Sequence, residues 1–211
     1  MNNLHVYACS FGLCGYVSKK FSYYVEPNKS FGDVIARELQ YDLVNNSRPG
    51  ACNYMLFKQV VEDKHKFKLG DRIIVQWTHI DRGYSINDYT VMPNHVDHHN
   101  AEIAETAKIY YKYLYDEHQS FSELVGYTYY LNNILSGFYY SLVDDHAFIK
   151  KVDTEMFSKF TNIGNYVSID GGIHSFMSSF KSENVCYPCQ HPSELGHVKL
   201  AELYIKALKN E

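Results

Sequence analysis

Two short apolar runs constrain this chain more than any other feature. "LHVYACSF" spans Leu4–Phe11 and "RIIVQWT" spans Arg72–Thr78. Both are rich in β-branched and aromatic residues and are bounded by polar or small ones, so each predicts a buried strand. Between them lie two helical patterns. In "SFGDVIARELQYDLV", Val34, Ile35, Leu39 and Leu43 recur at helical spacing, behind a capping-box variant made by Ser30 and Asp33. In "NYMLFKQVVEDKHKF", Met55, Leu56, Val60 and Val61 mark a second amphipathic helix. A strand, two helices and a second strand in this order predict an α/β layered domain with a parallel sheet.

The remaining segments are less regular. "SKKFSYYVEPNKS" is polar, aromatic and broken by Pro27, which predicts a loop. From about Ile80 to Asn100 the chain is polar and His-rich; a loop of that length is usually functional or mobile. Ala101 to about Leu142 reads as helical with a break near "DEHQS", and it is crowded with tyrosines. Tyrosine makes up 20 of the 211 residues, and its apolar ring with a polar tip suits a cleft wall or an interface. "NYVSID" reads as a late strand. "PSELGHVKLAELYIKALK" predicts a closing helix behind Pro192, with Leu195, Val198, Leu200, Leu203 and Ile205 as its apolar residues. The expectation is one domain over 1–211, with a loop and Tyr-rich helical insertion around 80–145.

Charge and composition exclude several partners. The formal net charge is -4, so no basic field invites nucleic acid. No apolar run approaches the roughly 18 to 20 residues of a membrane helix, so no membrane association is expected. "MNNLHVYACSF" lacks the charged start and long apolar run of a signal peptide. The five cysteines are an odd number, and without an export signal they predict reduced thiols in a cytoplasm.

Chemistry-bearing residues gather after the two strands. Ser10 ends the first apolar run, where ligands of an open parallel sheet bind; taken alone it is also an ordinary turn residue. Gly50, in "NNSRPGACN", would let a backbone N–H approach a ligand closely. Trp77, Thr78, His79, Asp81 and Arg82 follow the second strand. Cys9 is an alternative nucleophile, but alternation along a strand lets only one of Cys9 and Ser10 face a cleft. Cys186, Cys189, His191 and His197 are all possible zinc ligands at a spacing unlike that of common fingers. The run His95–His99 could hold a transition metal, or simply be solvated. No metal and no cofactor is expected.

In chain order these segments resemble the SGNH/GDSL hydrolase superfamily. "ACSF" resembles its Ser block, Gly50 its Gly block, "QWTH" sits where its Asn block falls, and "HPSELGHVKLAE" resembles its final His block. The resemblance spans nearly the whole chain. It implies a three-layer α/β/α sandwich, flavodoxin-like, with a central parallel sheet. It further implies that Ser10 is a nucleophile and His191 its base. The backbone N–H groups of Ser10 and Gly50 would form an oxyanion hole, with Thr78 or Asn53 as a third donor. Trp77 and Arg82 would contact substrate.

Three positions depart from the pattern. "ACSF" lacks Gly-Asp before the serine, Thr78 replaces the Asn, and Pro188 stands where an Asp would precede His191 by three residues. The candidate acceptors behind His191 are then Asp170 or a backbone carbonyl near Pro188 or Cys189. The expected activity is hydrolysis or transfer of an ester-linked acyl group on a small-molecule or carbohydrate substrate. The alternative is a binding protein of the same fold whose triad has decayed. The Tyr-rich helices are a surface through which copies of the chain could associate.

Overall fold

The computed structural model describes residues 1–13, 15–17, 23–25, 28–83, 85–86, 89–143, 154–169, 185–186 and 191–210. A five-stranded parallel sheet forms its centre. Its strands are β1 (Asn3–Tyr7), β4 (Asp42–Asn45), β5 (Arg72–Trp77), β8 (Phe138–Leu142) and β9 (Asn165–Tyr166), in the order β4-β1-β5-β8-β9. The apolar runs at Leu4–Phe11 and Arg72–Thr78 therefore supply neighbouring inner strands. Leu4, Val6, Ile74, Val75 and Trp77 have no solvent exposure; each such side chain contributes roughly 1.5–3 kcal/mol on leaving water.

Helices cover both faces. α1 (Phe31–Leu39) and α6 (Glu194–Lys209) form one layer. Val6 approaches Gly32 of α1, and Gln76 and Ser141 bond the Tyr204 hydroxyl of α6. α2 (Asn53–Asp63) and α4 (Glu117–Ile134) form the opposite layer. There Tyr7 donates to Asp63 at 2.9 Å and Trp77 packs on Tyr127. α5 (Thr154–Thr161) joins that side, its Phe160 against Tyr140 and Phe121. Alternate residues of one strand thus face different helix layers, as a period of two requires. This is the three-layer α/β/α sandwich.

Local chemistry explains the element ends. Ser30 and Asp33 close a reciprocal capping box on α1. α1 stops at Gln40, which takes the left-handed conformation at φ 60°. Leu43 therefore lies in β4 rather than in a longer α1. β4 was hidden because it is an edge strand of alternating half-buried and exposed residues, not an apolar run. A larger departure is at 138–142. "FYYSL" falls within the stretch expected to be helical, but it is β8, buried along its whole length between β5 and β9. Gly137, at φ 66°, turns the chain out of α4 into this strand.

The expected loop between Ser18 and Ser30 contains part of a hairpin, β2 (Gly15–Val17) with β3 (Tyr23–Val25). The long 80–100 segment carries a second hairpin, β6 (Ser85–Ile86) with β7 (Tyr89–Thr90), and a 3-10 helix at Pro93–Asp97. α3 (Ala101–Ile109) runs into a π-helical turn at Tyr110–Leu114. The break near "DEHQS" is real: α4 begins anew with Asp116 as its N-cap. Of the apolar residues expected on the closing helix, Leu200 is fully buried whereas Leu195 is 42% exposed. The face against the sheet is instead Gly196, His197, Leu200, Ala201 and Tyr204. Among the described residues, no helix is long and apolar enough to cross a membrane.

Candidate active site

The sheet's topology selects one end of the molecule. The chain passes from β1 to β4 on one side, then returns to β5 on the other. The loops leaving β1 and β5 diverge here, and ligands of open α/β sheets bind at such a switch point beyond the strand carboxyl ends. Ser10 lies just past β1, in the 3-10 turn Ser10–Gly12, and Thr78 lies just past β5.

His191 reaches the same place from the far end of the sequence. It sits in β11 (His191–Pro192), paired antiparallel with β10 (Val185–Cys186). Ser193 then caps α6 by accepting from Gly196 N–H. The outcome is a 2.7 Å contact between His191 Nε2 and Ser10 Oγ. That distance is a short hydrogen bond between a hydroxyl and an imidazole. If Oγ–H is the donor, Nε2 is unprotonated and Nδ1 carries the ring hydrogen. The candidate acceptors for Nδ1–H, Asp170 and the carbonyls at Pro188 and Cys189, lie outside the described residues.

The Ser10 turn is braced on several sides. Gly12 N–H donates to Cys9 O and Leu13 N–H to Ser10 O. Asn45, at the end of β4, donates from Nδ2 to Gly12 O at 3.0 Å and accepts from Ser47 N–H at 3.1 Å. Arg48 N–H donates to Ala8 O. Gly12 has no room for a side chain, since a Cβ there would fall 2.1 Å from Ser47 Oγ. Cys9 is fully buried with a free thiol, so of the two adjacent nucleophiles it is Ser10 that meets the imidazole.

The other residues named from sequence have separate placements. Gly50 occupies a turn at φ 74°, where glycine is the least strained residue. It lines a cavity of about 190 Å³ with Arg48, Met55, Thr90, Met92 and His95. Asn53 and Thr78 form a mutual clamp. Thr78 N–H donates to Asn53 Oδ1 at 2.8 Å, and Asn53 Nδ2 donates to Thr78 O at 3.2 Å. The Thr78 hydroxyl is buried without a hydrogen-bond partner among the described residues. Arg82 donates from Nη1 to Ala51 O at 3.1 Å, tying the loop after β5 to the turn beside Gly50. Trp77 is a correction: its ring has no exposure and packs in the core against Tyr127, so it does not face a cleft.

His197 is used by the scaffold. Its Nδ1 accepts from Phe31 N–H at 3.1 Å, at the start of α1. Burial pushes its pKa down to about 4, partly offset by the Leu13 backbone, and nearby His191 pushes in the same direction as burial. His95 Nδ1 accepts from Met92 N–H and so caps the 3-10 helix. Burial, then the neighbouring His98, lowers its pKa. Cys186 pairs through its backbone with His191, and Cys189 lies outside the described residues. Among the described residues, no group of three or more His, Cys, Asp or Glu side chains converges as a metal site.

Two contributors escaped the sequence reading. Phe11 stacks on His191, with ring centroids 5.1 Å apart and planes 28° from parallel. Asn45 holds the turn that carries Ser10. Phe11 was visible as part of "ACSF", but nothing in one sequence says which ring meets which across 180 residues. Asn45 belongs to the edge strand that was not recognised.

No protein-family profile matches the chain, and no curated protein sequence matches it. Solved structures do. A lipase/acylhydrolase from Enterococcus faecalis is 12% identical, with a TM-score of 0.55, covering 100% of this chain and 96% of its own. A psychrotrophic esterase from Pseudoalteromonas sp., solved with monoethylphosphonate as inhibitor, is 9% identical with a TM-score of 0.55, covering 99% and 98%. A carbohydrate esterase described as having divergent catalytic and non-catalytic binding functions is 11% identical with a TM-score of 0.51, covering 100% of this chain and 69% of its own. The chain therefore has the fold of the SGNH/GDSL lipases and acylhydrolases, at an identity where fold alone is shared.

Proposed function

We propose that this protein is a cytoplasmic serine hydrolase or acyltransferase acting on an ester-linked acyl group. The observation that carries the reading is the 2.7 Å contact between Ser10 Oγ and His191 Nε2. A serine hydroxyl is a weak nucleophile until a base accepts its proton. In the proposed reaction, Oγ attacks the ester carbonyl carbon while its proton passes to Nε2. The backbone N–H groups of Ser10 and Gly50 hold the resulting oxyanion, with the Thr78 hydroxyl or the Asn53 amide as the third donor. The tetrahedral intermediate then expels the alcohol, which takes the proton from Nε2. Water or an acceptor hydroxyl later attacks the acyl-Ser10 ester by the same route. Arg82 and the cavity beside Gly50 would bind the remainder of a small-molecule or carbohydrate substrate.

The proline at 188 predicts a slow enzyme unless Asp170 or a carbonyl replaces the missing carboxylate. Replacing the Asp of a serine-protease triad lowers kcat by about 10⁴. The test is hydrolysis of p-nitrophenyl acetate, together with labelling by a fluorophosphonate probe and mass mapping. Wild-type protein is expected to cleave the ester and to carry the label on Ser10; Ser10→Ala and His191→Gln are expected to lose both. An unlabelled Ser10 with no turnover would sink the hydrolase reading.

The same proline motivates the second reading, a binding protein of this fold. It gains weight from the structural neighbour described as having non-catalytic binding functions. Saturable binding of an acylated sugar without release of the acyl group would favour it.

A further inference from the structure

We infer that Phe11 is a positioning residue for the His191 imidazole and that its ring also favours the imidazolium form. The inference rests on the Ser10–His191 reading above. Two contacts to the imidazole come from one short turn: Ser10 meets it at Nε2, and Phe11, the next residue, covers its face. A ring stacked on the imidazole face restricts its rotation about that hydrogen bond.

The platform itself is fixed. Phe11 is 5% exposed. The turn that carries it is bonded internally and through Gly12 O to Asn45, and the Gly12 position is closed against Ser47. A shift of Phe11 would therefore move Ser10 as well, so nucleophile and imidazole platform keep their relative geometry.

The electrostatic part follows from the aromatic quadrupole. The negative face of Phe11 attracts a cation more than a neutral ring. His191 would be neutral before attack and positive once it has taken the Oγ proton. A contact that strengthens along that path lowers the barrier rather than only binding the ground state. In the pattern that the sequence resembles, a carboxylate orients the imidazole and balances its charge, and Pro188 stands in its place. The stacked ring supplies part of both effects.

The test keeps the shape of the side chain and changes its electrons. Phenylalanine analogues with one, three and five ring fluorines are placed at position 11. The readout is the rate at which a fluorophosphonate modifies Ser10. In that step the Oγ–P bond forms, the P–F bond breaks, fluoride leaves, and the Oγ proton passes to Nε2. The rate should fall stepwise, by about tenfold over the series, with an unchanged melting temperature.

Phe11→Leu should lower kcat on p-nitrophenyl acetate by a similar factor without changing KM, and Phe11→Trp should recover most of the loss. A flat fluorine series, or a leucine variant as fast as wild type, overturns the inference while leaving the Ser10–His191 reading intact. Absence of label on Ser10 in the wild-type protein overturns both.

Discussion

At the scale of single residues, the candidate site depends on polar groups that serve the backbone. Asn53 holds both the N–H and the carbonyl of Thr78, a residue with no solvent exposure. Asn53→Ala leaves both groups without that partner, so it should cost about 2–3 kcal/mol, read as a lower urea midpoint and melting temperature. Thr78→Val, in contrast, removes a buried hydroxyl that has no hydrogen-bond partner among the described residues. That change should hold or raise stability, and its effect on esterase rate measures whether the hydroxyl serves as a donor. Part of this site was legible in sequence. Ser10 and His191, which the fold brings together, could be picked out because a strand end and a block before a helix leave local marks. Asn45 and Phe11 left none, because their roles exist only where distant segments meet. Trp77 was misplaced because a ring at a strand end looks the same in sequence whether it faces a cleft or a helix layer.

At the scale of elements, the chain's hidden strands show what periodicity misses. β5 and the start of β1 were legible as apolar runs, and α1, α2 and α6 as amphipathic repeats. β8 was not, because "FYYSL" follows α4 closely and its tyrosines continue the pattern of the helix before it. Only burial on both faces by neighbouring strands and helices makes it a strand. Two backbone positions set the ends of these elements. Gln40 holds a left-handed conformation usually given to glycine, so Gln40→Gly should stabilise the protein by up to about 1 kcal/mol. Gly137→Ala should do the reverse, by more than about 1 kcal/mol. Its φ is 66°, and a Cβ there would fall 2.6 Å from the Asp71 carbonyl. Chemical denaturation of each variant at neutral pH checks both signs.

At the scale of the whole molecule, buried titratable groups tie distant segments together and set the pH range. His197 joins α6 to the start of α1 while staying neutral, with its pKa lowered from 6.5 to about 4. Between those values the unfolded chain binds a proton that the folded protein does not. Stability must therefore fall as pH drops from about 6.5 toward 4, then level off, by about 3 kcal/mol in all. Asp71 acts at lower pH. Burial alone would raise its pKa, but hydrogen bonds from Asn3 N–H, Lys68 N–H and His5 bring it below 3.8. Its contribution is present at neutral pH and is lost as pH falls through that depressed value. Urea midpoints measured from pH 7.5 to 4.5 should decline for wild type and decline less for His197→Gln, although that variant starts from a lower midpoint. The Ser10–His191 contact closes a loop of 181 residues, nearly the full length of the chain. A ribosome releases Ser10 long before it reaches the codon for His191, so a growing polypeptide carries the hydroxyl without its partner. Any chemistry that needs the pair stays silent until His191 has been made and the helix that follows it docks, which makes probe labelling of Ser10 a report on the arrival of that segment.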